Sequence, residues 1–208
     1  MSLKNKKKLL IILLGLFLLI ILSVISNYKP LLSLDETIQS FSNTIHSTFI
    51  DQIMISITKI GNIYESLLIF IVFSLFLISK KKKLSFYFFT ITTGLGTVLP
   101  EIIKLTVERI RPVSDLLTET GYSFPSGHAT ISTIFLISSF LIIAPNIKDW
   151  FPRYIFIICT TLIFPLVALS RIFLSVHWFS DVLSGILLGS ICYLLTSIFC
   201  CQKKENML

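Results

Sequence analysis

Residues 63–103 read IYESLLIFIVFSLFLISKKKKLSFYFFTITTGLGTVLPEII. Two apolar runs, 63–79 and 84–103, flank four consecutive lysines, Lys80 to Lys83. Each run is near the roughly 20 residues an α-helix needs to cross a hydrocarbon core, once tilt and neighbouring residues are allowed for. Four adjacent cations are too costly to sit in lipid, so they mark a membrane surface. The two runs are therefore expected to turn back there as a tight helical hairpin.

The same texture extends outward. Further apolar runs cover 9–25, 130–144, 154–169 and 179–200. Of the 208 residues, 54% are hydrophobic and 14% charged, against roughly a quarter charged in a soluble domain. The expectation is an all-α, six-transmembrane-helix bundle forming one domain over 1–208, with its motif core at about 84–200. Lys4, Lys6, Lys7 and Lys8 before the first run resemble the start of a signal peptide. That run is long for such a peptide and has no A-x-A-like cleavage site after it, so a retained first helix is expected.

The net charge of +7 raises the possibility of nucleic acid. The basic residues instead sit in short clusters at the ends of apolar runs, where they act as topology signals and anionic-lipid contacts. No nucleic-acid partner is expected. With the N-terminus inside, the inner ends hold Lys4, Lys6, Lys7, Lys8, Lys80 to Lys83, Lys148, Arg153, Lys203 and Lys204, which is 12 of the 18 Lys and Arg. The outer side holds Lys29, Lys59, Lys104, Arg109, Arg111 and Arg171. Four of these six lie in motifs described below. Both termini are thus expected to be cytoplasmic in a multi-pass cell-membrane protein. The four cysteines show no CxxC spacing, so neither a disulfide framework nor a zinc site is indicated. Cys200-Cys201 is read as an inert pair at a helix end rather than an acylation site.

Residues 31–60 differ. Leu34, Ile38, Phe41 and Ile45 recur at helical steps, with Asp35, Glu36, Gln39 and Asn43 opposite. Ser33 and Glu36 have the spacing of a capping box. The reading is an amphipathic helix in the outer interface between helices 1 and 2. It would either flank a lipid entrance or lie as a plain lid over the bundle.

The inferred topology brings three polar clusters to the outer end. The first is Lys104 with Arg111-Pro112, the second Pro125-Ser126-Gly127-His128, the third Ser170-Arg171 with His177 and Asp181. A phosphate ester carries up to two negative charges, and its transfer asks mainly for positioning and neutralisation. Lys104, Arg111 and Arg171 supply fixed cations, Arg with planar bidentate donors. Any one alone would read as a snorkelling interfacial residue; three in register point to an anion cradle. Three cations would also repel a divalent ion, so no metal is expected. The P-S-G-H stretch precedes the fourth apolar run, and a helix N-terminus there is a natural anion site. Gly127 would let the anion approach the backbone, and Ser126 would add a hydroxyl donor. His177 and Asp181, four apart, would share a helix face. Such a carboxylate fixes the imidazole tautomer and leaves one nitrogen as a nucleophile, although the same pair can be a simple helix cap.

Taken together, the pattern K-x6-R-P, P-S-G-H and S-R-x5-H-x3-D resembles the type 2 phosphatidic acid phosphatase (PAP2) family, which is related to vanadium haloperoxidases. Within it, the resemblance is to small bacterial members such as the phosphatidylglycerophosphatases B and undecaprenyl-diphosphate phosphatases. The resemblance implies that His177 attacks phosphorus to form a phosphohistidine and that Asp181 orients it. His128 would protonate the leaving group and then serve as base for water. Lys104, Arg111, Ser126, Gly127 and Arg171 would hold the phosphoryl oxygens.

The expected function is metal-independent, cofactor-free hydrolysis of lipid phosphate or diphosphate esters at the outer leaflet. Undecaprenyl diphosphate, phosphatidylglycerol phosphate and phosphatidic acid are the candidate substrates. The expected partners are that substrate and membrane lipids. Two alternatives stand beside it: a haloperoxidase using the same cradle, or a catalytically silent phospholipid binder or transporter. The first suits soluble chains, and the second has no need of His128, His177 and Asp181. Glu101 either pairs with Lys104 one turn on or faces the outer interface. Arg109 matches a basic position often seen in the family motif but is not assigned to catalysis, and His46 reads as a surface residue.

Overall fold

The computed structural model describes residues 1–205, with side chains through Cys200. Cys201, Lys203 and Lys204, which entered the reading of the C-terminus, lie outside the described side chains. The order is α1 (Leu3–Ile25), α2 (Lys29–Asn43), α3 (Thr48–Lys59), α4 (Ile63–Ser79), α5 (Lys83–Val107), α6 (Gly127–Ser138), α7 (Trp150–Phe173) and α8 (Phe179–Glu205). A π turn (Ser139–Ile143) and a 3-10 turn (Ala144–Asn146) extend α6. No strand occurs among the described residues.

Five helical stretches are long and apolar enough to cross a membrane: α1, α5, α6 with its extension, α7 and α8. The sixth expected span, α4, has 17 residues and qualifies only together with α3, across a bend of 54°. The lysine hairpin forms as expected. Lys81 adopts a left-handed conformation at φ 57°, and Lys82 N–H donates to Leu77 O at 2.9 Å, which ends α4 one short turn before α5.

Lipid tails are as apolar as leucine, so close van der Waals fit holds such helices together rather than escape from water. Glycine makes that fit possible on α8. A Cβ at Gly185 would stand 2.5 Å from Ser126 O, and one at Gly189 2.6 Å from Thr130 O. The G-x-x-x-G step thus lets α6 press against α8. On the other side, Phe73, Phe89, Phe135 and Phe164 interleave α4, α5, α6 and α7, with ring centroids 5.7 to 6.1 Å apart. These contacts make α6 the central post, and its first turn carries His128.

Residues 31–60 depart from expectation in three ways. They form parts of two helices, broken between Asn43 and Thr48. The first starts at Lys29 with Pro30 in its opening turn, so Ser33 and Glu36 lie inside it and make no capping box. Its polar stripe is also divided between the interior and the outside. Asp35 is 1% exposed and Gln39 is buried, whereas Leu34 and Phe41 are 45% and 67% exposed. Buried polar groups turned toward a polar protein interior, with apolar residues outward, are what a bilayer neighbour favours. Glu36 and Asn43 of the same stripe are exposed, and Ile38 packs partly against the Ala129–Val182 cluster. His46 is not a bare surface residue: Nδ1 lies 2.7 Å from Asp51 Oδ1, and the ring packs on Phe173.

Candidate active site

Helix endings bring the clusters together. α5 stops where Glu108 turns left-handed at φ 52°, releasing a loop that carries Arg109, Arg111 and Glu119. α7 ends just after Arg171, and the N–H groups of Val176 and His177 both return to Arg171 O, at 3.2 and 3.1 Å. This turn sets His177 beside the arginine six residues earlier. Ser126 caps α6, its Oγ accepting from Ala129 N–H, and Ser126 N–H donates to Asp181 O at 3.0 Å, which ties the start of α6 to α8.

Lys104, Arg111, Gly127, His128, Arg171 and His177 line one cavity of about 610 Å³, together with Glu101 and Glu119. Ser126 and Asp181, both fully buried, lie behind its wall. The apolar end of the cavity is formed by Ile63, Leu67 and Phe70 of α4 and by Val98 of α5. Residues 31–60, read as flanking a lipid entrance or lying as a lid over the bundle, do not line it. A Cβ at Gly127 would meet nothing, so space beside the backbone is open there. Gly61 serves a different end: a Cβ on it would collide with the His128 ring and stand 2.8 Å from Val167 Cγ1. The α3–α4 bend can approach His128 only because this residue is glycine.

His177 sits in a defined electronic setting. Arg111 Nη1 lies 3.1 Å from its Nε2. A guanidinium only donates, so Nε2 is the lone-pair nitrogen and the ring proton rests on Nδ1. That nitrogen is 3.5 Å from Asp181 Oδ2 without closing a hydrogen bond. Burial pushes His177 down to about 4 despite the upward pull of Asp181, with Arg111 and Arg171 pushing the same way as burial. The imidazole is neutral near pH 7. The pair is not two residues on one helical face, as expected, because α8 begins at Phe179. Asp181 instead closes the helix start by accepting Trp178 N–H at 2.9 Å while facing Nδ1. One carboxylate thus caps the helix and faces the imidazole.

The cations are heavily engaged. Arg111 donates to the carbonyls of Val176 at 2.7 Å, Gly121 at 3.0 Å and Tyr122 at 3.1 Å, pinning the loop across the cavity mouth. Burial lowers its pKa from the ordinary value, while Glu119, Asp181 and Glu101 act to raise it. Arg171, 1% exposed, donates to Thr58 Oγ1 at 2.8 Å and to Glu119 Oε1 at 2.5 Å. Its buried Nε has no partner among the described residues. Burial tends to raise Glu119, but the Arg171 hydrogen bond and the charges of Arg171, Arg111 and His177 win, holding it below the usual carboxylate range. Lys104 pairs with Glu101 at 2.7 Å, one of the two readings given for that residue, while Glu101 itself remains largely exposed. His128 Nε2 lies 3.1 Å from Asn62 Oδ1, the N-cap position of α4.

Four participants escaped the sequence reading: Glu119, Asn62, Asp35 and the structural weight of Arg109. Arg109 donates to Asp181 Oδ1 at 2.7 Å and to Asp35 Oδ2 at 2.6 Å. Glu119 was detectable in principle, since three cations in one pocket call for a nearby anion when no ligand is bound. Asp35 lies on a stripe that also holds exposed Glu36 and Asn43, so periodicity alone did not mark it as buried.

Known proteins resemble this chain in sequence and in fold. Residues 83–205 match the family model described as the PAP2 superfamily. Phosphatidylglycerophosphatase B of Bacillus subtilis is 28% identical over 187 residues, covering 88% of this chain and 91% of that protein. An undecaprenyl-diphosphatase of Sulfolobus acidocaldarius is 30% identical over 145 residues, covering 66% of this chain and 65% of that one. Among solved structures, the transmembrane PAP2-type phosphatidylglycerolphosphate phosphatase from Bacillus subtilis superposes with a TM-score of 0.77 at 24% identity, over 93% of this chain and 96% of that one. Aquifex aeolicus LpxE gives 0.56 at 21%, over 76% of this chain and 92% of that one.

Proposed function

Since the chain belongs to the PAP2 superfamily of phosphoric-ester hydrolases, we propose that it hydrolyses lipid phosphate or diphosphate esters without a metal, through a phosphohistidine on His177. The observation that carries this reading is the setting of Nε2. A neutral imidazole holds its lone pair toward an arginine, in a cavity shared with two further cations and a second imidazole. The unpartnered N–H of Arg171 Nε supports an oxyanion ligand, because a buried donor without an acceptor costs about 1–3 kcal/mol.

In the first step Nε2 attacks phosphorus, an N–P bond forms, and the bond to the lipid-side oxygen breaks. That oxygen takes a proton from His128. Asp181 stabilises the Nδ1–H of the resulting phosphoimidazolium. In the second step water attacks phosphorus with His128 accepting its proton, the N–P bond breaks, and inorganic phosphate leaves. Lys104, Arg111, Arg171 and the α6 N-terminus at Gly127 hold the phosphoryl oxygens. Ser126 contributes by fixing that N-terminus as its cap.

The apolar end of the cavity between α4 and α5 suits a lipid tail, and the charged end suits a headgroup phosphate. Candidate substrates are undecaprenyl diphosphate, phosphatidylglycerol phosphate and phosphatidic acid. The positive-inside distribution supports cytoplasmic termini, six crossings with α3–α4 as one bent span, α2 in the outer interface, and a cavity facing the extracytoplasmic side of a bacterial-type cell membrane. The test is phosphate release from these three lipids by the reconstituted protein in EDTA. Turnover is expected, with inhibition by vanadate and its loss in His177→Ala; wild-type turnover in that variant refutes the assignment.

A further inference from the structure

We propose that Asp35, on a helix outside the matched family segment, is a positioning residue for the His177–Asp181 pair and acts through Arg109 and Ser180. The proposal rests on the phosphatase reading above and adds a part to it.

The geometry is a closed circuit. Asp35 Oδ2 accepts from Arg109 Nη2 at 2.6 Å and from Ser180 Oγ at 2.6 Å, while Oδ1 accepts from Ser180 N–H at 2.9 Å. Arg109 Nη1 donates to Asp181 Oδ1 and to Ser180 Oγ, both at 2.7 Å. One guanidinium is thus forked between two carboxylates, and the opening turn of α8 is clamped to α2 and the 109–126 loop at once. Asp35 and Asp181 are fully buried, and the Arg109 side chain is 8% exposed.

Charge gives the circuit its consequence. Two carboxylates share one cation, leaving one negative charge in excess beside an imidazole that becomes cationic when its Nε2 bonds phosphorus. Without Asp35, Arg109 is free to give both Nη groups to Asp181 and neutralise it. Asp181 would then orient and stabilise the phosphoimidazolium less well. Asp35 and Arg109 line a separate cavity of about 460 Å³ with Trp178 and are absent from the wall of the phosphate cavity. The circuit therefore bears on the rate of phosphoryl transfer and not on substrate binding.

The test compares Asp35→Asn with wild type and His177→Ala in nanodiscs, with kcat expressed per vanadate-binding site so that unfolded protein is not counted. The expected result is a fall in kcat of about 10- to 100-fold, smaller than the roughly 10⁴-fold loss when a triad's own carboxylate is removed, with KM and vanadate affinity within about twofold of wild type. Wild-type kcat per site, with only yield or melting temperature reduced, overturns the proposal. Should Asp35→Asn give no folded protein, Arg109→Lys decides, since it keeps the charge and removes the planar fork that joins Asp35 to Asp181. A severalfold fall in its kcat at constant KM supports the proposal, and an unchanged kcat overturns it. Wild-type turnover by His177→Ala would bring down the phosphatase reading itself, a result separate from either outcome.

Discussion

The two faces of His177 are built on opposite principles. Toward the cavity, Arg171 and Lys104 are each matched to one carboxylate, Glu119 and Glu101, on a partly or largely exposed side chain. Away from the cavity, Arg109 is locked between Asp35 and Asp181, both buried beyond solvent. A pair whose carboxylate can turn to solvent separates at smaller cost than one buried on both sides. Breaking a buried one strands a charge with little solvent to compensate it. The front can therefore exchange carboxylates for phosphate oxygens, while the rear must hold still. What differs between them is how much water each keeps, and that decides which charges move.

The largest break in this contrast is Arg109→Ala. It leaves Asp35 and Asp181 buried without a cation and should cost about 3–5 kcal/mol of stability, seen as a lower melting temperature in detergent together with lost turnover. A front-side change, Arg171→Lys, should fold normally. Losing the planar fork and the Nε donor should lower kcat/KM by roughly 30- to 100-fold, about 2–3 kcal/mol for hydrogen bonds to a charged group. Equal melting temperatures for these two variants would erase the distinction between faces.

A gentler probe is Glu119→Gln, which removes the anion competing for Arg171. Vanadate and inorganic phosphate should bind about three- to tenfold tighter, the scale of a partly screened pair near 1 kcal/mol. Weaker anion binding would show instead that Glu119 holds Arg171 in place for the ligand. The smallest effect lies in the pH profile. Protonated His177 cannot attack, and its folded pKa lies below the ordinary histidine value, so kcat/KM should be retained as pH falls through 6.5 and be lost only toward about 4. A limb near 6.5 would indicate that an unburied imidazole limits the reaction.

Much of this was legible in the sequence, and the contrast between faces explains what was not. Lys104, Arg111, His128, Arg171 and His177 announced themselves because charges beside apolar runs are costly and the lysine-marked topology carries them to one end. The hairpin at Lys80–Lys83 was equally plain. The rear of the site was not foreseen at α2, where Asp35 and Gln39 were placed on the polar side of an interfacial helix with no partner named. A helical pattern shows that two faces differ; it does not show which one meets the bundle. Glu119 was missed because an isolated carboxylate in a loop has no periodicity, only a charge whose meaning appears once Arg171 is beside it. The His177–Asp181 pairing was foreseen, but through a shared helix face; the chain reaches it by ending α7 and capping α8.

The central claim is that the phosphoryl group passes through His177. The direct measurement is rapid mixing with a lipid phosphate, alkaline quench, and mass spectrometry of the tryptic peptide spanning 172–203. A base-stable, acid-labile phosphate on His177 that decays at the rate of turnover is the predicted result. Turnover with no label on this residue, or label on another, would contradict it.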